Sequence, residues 1–192
     1  MSGTPSLILA SASPRRQELL ARLGLAFTVR PSHIAEEHPP GDPAAGIVAV
    51  ALAKARAVAR EVTEPAFILG ADTEVVLDGH LLGKPGDAAD AGRMLKALRG
   101  RVHEVITGVA LVEAPAGREE TAAVTTRVKM AGYSDAEIEA YVATGEPLDK
   151  AGAYAVQGLG ARLVAEVDGC FTNVVGLPVT TTRRLLERWR LL

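Results

Sequence analysis

Short apolar runs alternate with apolar stripes of helical period along this chain. Leu7-Ile8-Leu9 is one such run and predicts a buried strand. Leu19, Leu20 and Leu23 then recur at helical spacing, after Ser13 as a natural N-cap and Pro14 at the first helical position. Gly24 offers a left-handed stop. Phe27-Thr28-Val29 predicts a second strand, leading into a loop that carries Glu36 and Glu37. Pro39-Pro40-Gly41 breaks regular structure, and Asp42-Pro43 caps a second helix running through Lys54 towards Arg60.

The middle of the chain repeats the alternation. Residues 66–69 predict a buried strand ending at Gly70-Ala71-Asp72-Thr73. Val75-Val76-Leu77 and Leu81-Leu82 flank Asp78-Gly79-His80, the signature of a tight hairpin. A helix over 87–98 closes at Gly100, and 103–130 alternates about Pro115-Ala116-Gly117 as a long hairpin. Ser134 with Glu137 makes a capping box for a helix ending near Gly145. Strands are predicted over 162–167 and 171–175, then a C-terminal helix from about Pro178. Helices interleaved with strands, plus hairpins in the middle and late parts, predict an α/β fold with a mixed sheet.

Composition narrows the classes. With 192 residues the chain can bury one substantial core, and we read residues 1–192 as a single domain. Its formal net charge of -2 gives no general attraction for nucleic acid or for an anionic membrane, so neither is expected as a partner. Any anion site must be a local cluster of positive groups. The single cysteine, Cys170, excludes an intrachain disulfide and reads as structural. No long apolar run opens the chain, so the expected location is the cytoplasm.

Three segments carry candidate chemistry. Ser11-Ala12-Ser13-Pro14-Arg15-Arg16 joins a helix N-terminus to two hydroxyls and two guanidinium forks, a combination suited to phosphate. Alone, it fits an ordinary capped helix with solvated arginines better than a binding site. Asp72 lies just beyond a buried strand, where a carboxylate holds a divalent cation, accepts a proton from water or caps a turn. The third segment, 149–158, brackets Tyr154 and Gln157 with glycines; Gln157 offers a donor and an acceptor to the edge of a uracil or thymine ring. The alternative there is a turn with Tyr154 packed in the core. Lys54 and Lys84 are surface lysines or phosphate partners. Glu36 and Glu37 are a solvated pair unless one reaches the same cation as Asp72. Histidines 33, 38, 80 and 103 lack the pair spacing of a metalloprotease, and His103 reads as structural. Neither a Walker A pattern nor a nucleophile elbow is present. These residues point as far as a nucleotide hydrolase.

The segments, in this order, resemble the Maf family of nucleoside triphosphate pyrophosphatases. Gly83-Lys84-Pro85 and Asn173-Val174-Val175-Gly176-Leu177-Pro178 extend the likeness over residues 7–178. Arg16, Thr73 and Gln157 are similar to the marks of the branch that hydrolyses dTTP and UTP to the monophosphate and pyrophosphate, which implies a housecleaning role that extends to modified pyrimidine triphosphates. A sister branch acting on 7-methylguanosine triphosphate ranks second, and a septum-formation regulator acting by binding is the alternative of another class. The resemblance implies Asp72 as proton acceptor; Ser13, Arg15, Lys54 and Lys84 on the phosphates; and Glu36 with Asp72 on a divalent cation (Mg, Mn or Co). It also implies an elongated two-lobed α/β fold with a twisted mixed sheet, flanking helices and a central cleft, like the inosine triphosphate pyrophosphatases, and a homodimer. Glu74 departs from the family's aliphatic residue, and Ala155-Val156 replaces its Gly-Ile.

Overall fold

Strand β1 (Ser6–Leu9) sits between two parallel neighbours, β2 (Phe27–Val29) and β3 (Ala66–Leu77). The structure, a computed structural model, describes residues 6–192. Helices α1 (Pro14–Ala21) and α2 (Pro43–Ala59) supply the connections. β4 (His80–Leu81) turns back on β3 through Asp78 and Gly79, both at positive φ as a two-residue hairpin requires. After α3 (Ala88–Leu98) come the long strands β5 (Val102–Ala114) and β6 (Glu119–Met130). Next are α4 (Asp135–Val142), three short 3-10 turns and β7 (Val164–Asp168), and then α5 (Phe171–Val175) and α6 (Val179–Arg188). Among the described residues the sheet has seven strands in the order β2-β1-β3-β5-β6-β7, with β4 on β3. Parallel and antiparallel pairs make it mixed, as the sequence predicts.

By contacts the chain forms two compact units. The first takes the chain up to Asp72, Thr107–Val124 and Gly176–Leu192. Ile8, Ala51, Ala55, Ile68 and Ala110 make up much of its core. Helix α2 is alanine-rich on this face, and two glycines bring it against the backbone of the strands. A Cβ on Gly70 would stand 2.2 Å from the Ala51 carbonyl oxygen, and one on Gly108 would stand 2.9 Å from Val48 Cα. The second unit, Thr73–Ile106 with Thr125–Val175, packs Leu95, Leu98, Val128, Ile138, Tyr141 and Leu163.

Two elements differ from expectation. β3 does not end at Gly70 but continues as strand to Leu77. Gly70 serves close helix packing rather than a turn, so glycine there is no stop signal. Residues 171–175 form one helical turn, not a strand. The Cys170 carbonyl accepts from the amides of Asn173 and Val174, and the buried Asn173 side chain donates to the Val105 carbonyl and Thr126 Oγ1, each at 2.9 Å. Satisfying that amide outweighs the β-preference of a Val-Val pair.

Candidate active site

The glycine contact that seats α2 on β3 brings Lys54 to Asp72. Lys54 Nζ lies 2.7 Å from Asp72 Oδ1 and 2.7 Å from Glu36 Oε1. Lys54 is 5% exposed and Asp72 2%, so each charge needs the other. Glu36 is exposed, on the loop between β2 and α2. His38, from the same loop, places Nε2 2.7 Å from Asp72 Oδ2. Burial alone raises the Asp72 pKa. The Lys54 charge and hydrogen bond, the His38 hydrogen bond and the Arg16 charge outweigh it and hold the carboxyl below its ordinary range. Asp72 is therefore an anion with both oxygens engaged, each retaining a lone pair for a further contact.

Arg16 is held from two sides. Its Nε donates to the Gly176 carbonyl at 2.8 Å and its Nη1 to Ser11 Oγ at 3.3 Å. The N-terminal motif and the start of the C-terminal segment thus meet on one guanidinium. Ser13 caps α1, accepting from the Arg16 amide at 3.4 Å. Half-buried Arg15 makes no ion pair among the described residues. Arg16, Glu36, Lys54 and Asp72 therefore belong to one charged cluster.

Lys84 and Gln157 lie in the second unit, on two exposed loops that touch. The Gly152 amide donates to the Gly83 carbonyl at 2.8 Å, tying the segment before Lys84 to the segment before Gln157. Tyr154 is buried, and His103 Nε2 lies 2.6 Å from its hydroxyl. Both side chains are therefore structural. Burial pulls the His103 imidazole down to about 4, so it is neutral near pH 7. Thr73 lies between Asp72 and Glu74 on β3, and strand alternation turns it to the opposite face from both.

Two residues at the cluster escape sequence reasoning. His38 shows no ligand spacing to any other histidine, and it reaches Asp72 only because the loop before α2 folds back. Glu74 does carry a signal: it shares a strand face with Asp72, two positions on, and it is buried. Oxygen donors suit a hard divalent cation, and the residues present fit one. Asp72 and Glu36 already share a single cationic atom, the Lys54 ammonium. Asp72, Glu74 and His38 each offer a donor atom, all within 4.8 Å of one another.

The fold is shared with a HAM1 protein from Coxiella burnetii, with a TM-score of 0.59 and 18% identity over 96% of this chain and 100% of that one. Within that class of α/β proteins the sequence is more specific. Residues 6–189 match the family model described as Maf-like protein, and the chain belongs to that family. A dTTP/UTP pyrophosphatase of Moorella thermoacetica is 58% identical over 183 residues, 94% of this chain and 93% of the relative. Another, from Anaeromyxobacter dehalogenans (strain 2CP-C), is 54% identical over 187 residues, covering 96% and 94%.

Proposed function

We propose that this chain hydrolyses dTTP and UTP to the monophosphate and pyrophosphate, acting on modified pyrimidine triphosphates as well. The observation that carries the reading is the buried Lys54–Asp72 pair, joined by the exposed Glu36, in a chain 58% identical to a dTTP/UTP pyrophosphatase. Water attacks the α-phosphorus, the bond from that phosphorus to the bridging oxygen breaks, and pyrophosphate leaves with the bond electrons. Asp72 accepts the proton of the attacking water. Its depressed pKa keeps it in the accepting form at neutral pH, at some cost in base strength. Lys54 has two of its three donors on carboxylates, which leaves one N–H for a phosphate oxygen. Ser13, Arg15 and Lys84 neutralise the rest of the phosphate chain, while Arg16, Thr73 and Gln157 select the base. A divalent cation (Mg, Mn or Co) would be held by Asp72 and Glu36, with His38 and Glu74 in reach, and would stabilise negative charge on the phosphoryl oxygens.

The same reading makes the protein a cytoplasmic homodimer that needs neither nucleic acid nor membrane. Among the described residues no helix is long and apolar enough to cross a membrane. A pyrophosphate-release screen over canonical and modified triphosphates, with each metal in turn, tests the proposal. Preference for dTTP and UTP is expected. Preference for 7-methylguanosine triphosphate would overturn the base assignment, and no release from any triphosphate would overturn the activity.

A further inference from the structure

Gln157 is exposed, and its side chain does not cap the 3-10 turn that follows it, Gly158–Leu163. The first amides of such a turn have no partner within it. Here they are met from outside by Glu146. Oε2 accepts from the Leu159 amide at 3.1 Å, and Oε1 accepts from the Gly160 amide at 3.0 Å. Gly158 lies between, at φ +74, and a Cβ there would stand 2.9 Å from Oε2, so the carboxylate is seated directly against the backbone.

The other side of Gln157 reaches the same carboxylate through Tyr141. Tyr141 donates its hydroxyl to Glu146 Oε1 at 3.0 Å, and a Cβ on Gly160 would stand 2.4 Å from that hydroxyl and 2.9 Å from the Ala155 nitrogen, so the hydroxyl is packed in with the backbone at 155 and 160. Backbone after Gln157 is thus bonded to the Glu146 carboxylate, and backbone before it packs beside the Tyr141 hydroxyl that the same carboxylate holds. Burial raises the Glu146 pKa, but the Gly160 and Leu159 amides, the Tyr141 hydroxyl and the Lys150 charge more than offset this, so the group is a full anion. An anion is what three converging donors require.

We propose that Glu146 is a specificity-positioning residue: its carboxylate, directly and through the Tyr141 hydroxyl, clamps the backbone on both sides of Gln157 and so aims the Gln157 amide at the pyrimidine edge. The proposal rests on the reading that Gln157 selects the base. Glu146 touches no substrate. Glu146→Gln keeps the volume but turns an –NH₂ group towards one of the donors, which frees the loop.

A double-mutant cycle tests this. kcat and KM for dTTP and dCTP are measured in the wild type, Gln157→Ala, Glu146→Gln and the double variant. Losing one aimed hydrogen bond to the base should raise KM for dTTP about tenfold in each single variant, with kcat nearly unchanged. The preference for dTTP over dCTP should fall alike in both, and the double variant should be no worse than either single one. Unchanged preference in Glu146→Gln beside lost preference in Gln157→Ala would overturn the clamp, as would additive losses. If Gln157→Ala itself keeps the preference, the base assignment fails instead. Amide exchange then judges the clamp alone: Leu159 and Gly160 should exchange at least about tenfold faster in Glu146→Gln, and unchanged protection would overturn it. Should Glu146→Gln fold poorly, Tyr141→Phe loosens the Ala155 side only and should shift the same preference by a smaller factor; no shift would count against the clamp.

Discussion

Lys54 Nζ stands 2.7 Å from Asp72 Oδ1, with both side chains buried, so α2 and β3 present an ammonium and a carboxylate that each depend on the other. Breaking such a pair from one side leaves an uncompensated charge in the interior. Lys54→Met should therefore cost about 3–5 kcal/mol of stability, read from urea unfolding, and should abolish turnover. A melt within a few tenths of a kcal/mol of wild type would mean that water reaches Asp72 freely.

Asp72→Asn is milder for the fold, because Glu36 still faces Lys54, and harsher for chemistry. kcat should fall by about 100- to 10,000-fold. The depressed carboxyl contributes stability above the ordinary carboxylate pKa and loses it as pH falls through the lower folded value. The variant should accordingly lose that part of the acid limb of the stability–pH curve. An unchanged limb would contradict the assignment.

His103 gives a second pH signature, in a different window. Its folded pKa of about 4 lies below the ordinary 6.5, so the unfolded chain binds the extra proton between these values. The neutral histidine's stabilisation is complete above pH 6.5 and is lost as pH falls to about 4, a change of roughly 3 kcal/mol. His103→Phe should flatten stability across that window, measured by chemical denaturation at a series of pH values. A slope equal to wild type would show that His103 is not the group responsible.

Gly70→Ala tests how the site is seated. The new methyl would lie 2.2 Å from the Ala51 carbonyl oxygen, so α2 must lift from β3. A loss of at least about 2 kcal/mol is expected, together with a fall in kcat as Lys54 withdraws from Asp72. Wild-type stability and turnover would show that the helix yields without moving the lysine.

Local signals were the legible ones. Ser13 and Pro14 open α1, Asp42 opens α2, and Ser134 with Glu137 closes a capping box, because each needs only its own neighbours. Gly70 misled, since sequence alone does not separate a glycine that permits a turn from one that admits a helix. Asn173 misled likewise: its buried partners, Val105 and Thr126, are distant in sequence. At the site, the family resemblance marks Asp72, Lys54 and Arg16 but not their pairing. The His38–Asp72 bond depends on the fold of an irregular loop, and no periodicity encodes it.

Hydrolysis of dTTP in ¹⁸O-labelled water, followed by mass spectrometry of both products, shows which phosphorus the water attacks. Attack at the α-phosphorus predicts dTMP carrying one labelled oxygen beside unlabelled pyrophosphate. Formation of dTDP with labelled orthophosphate, or label in the pyrophosphate alone, would contradict it.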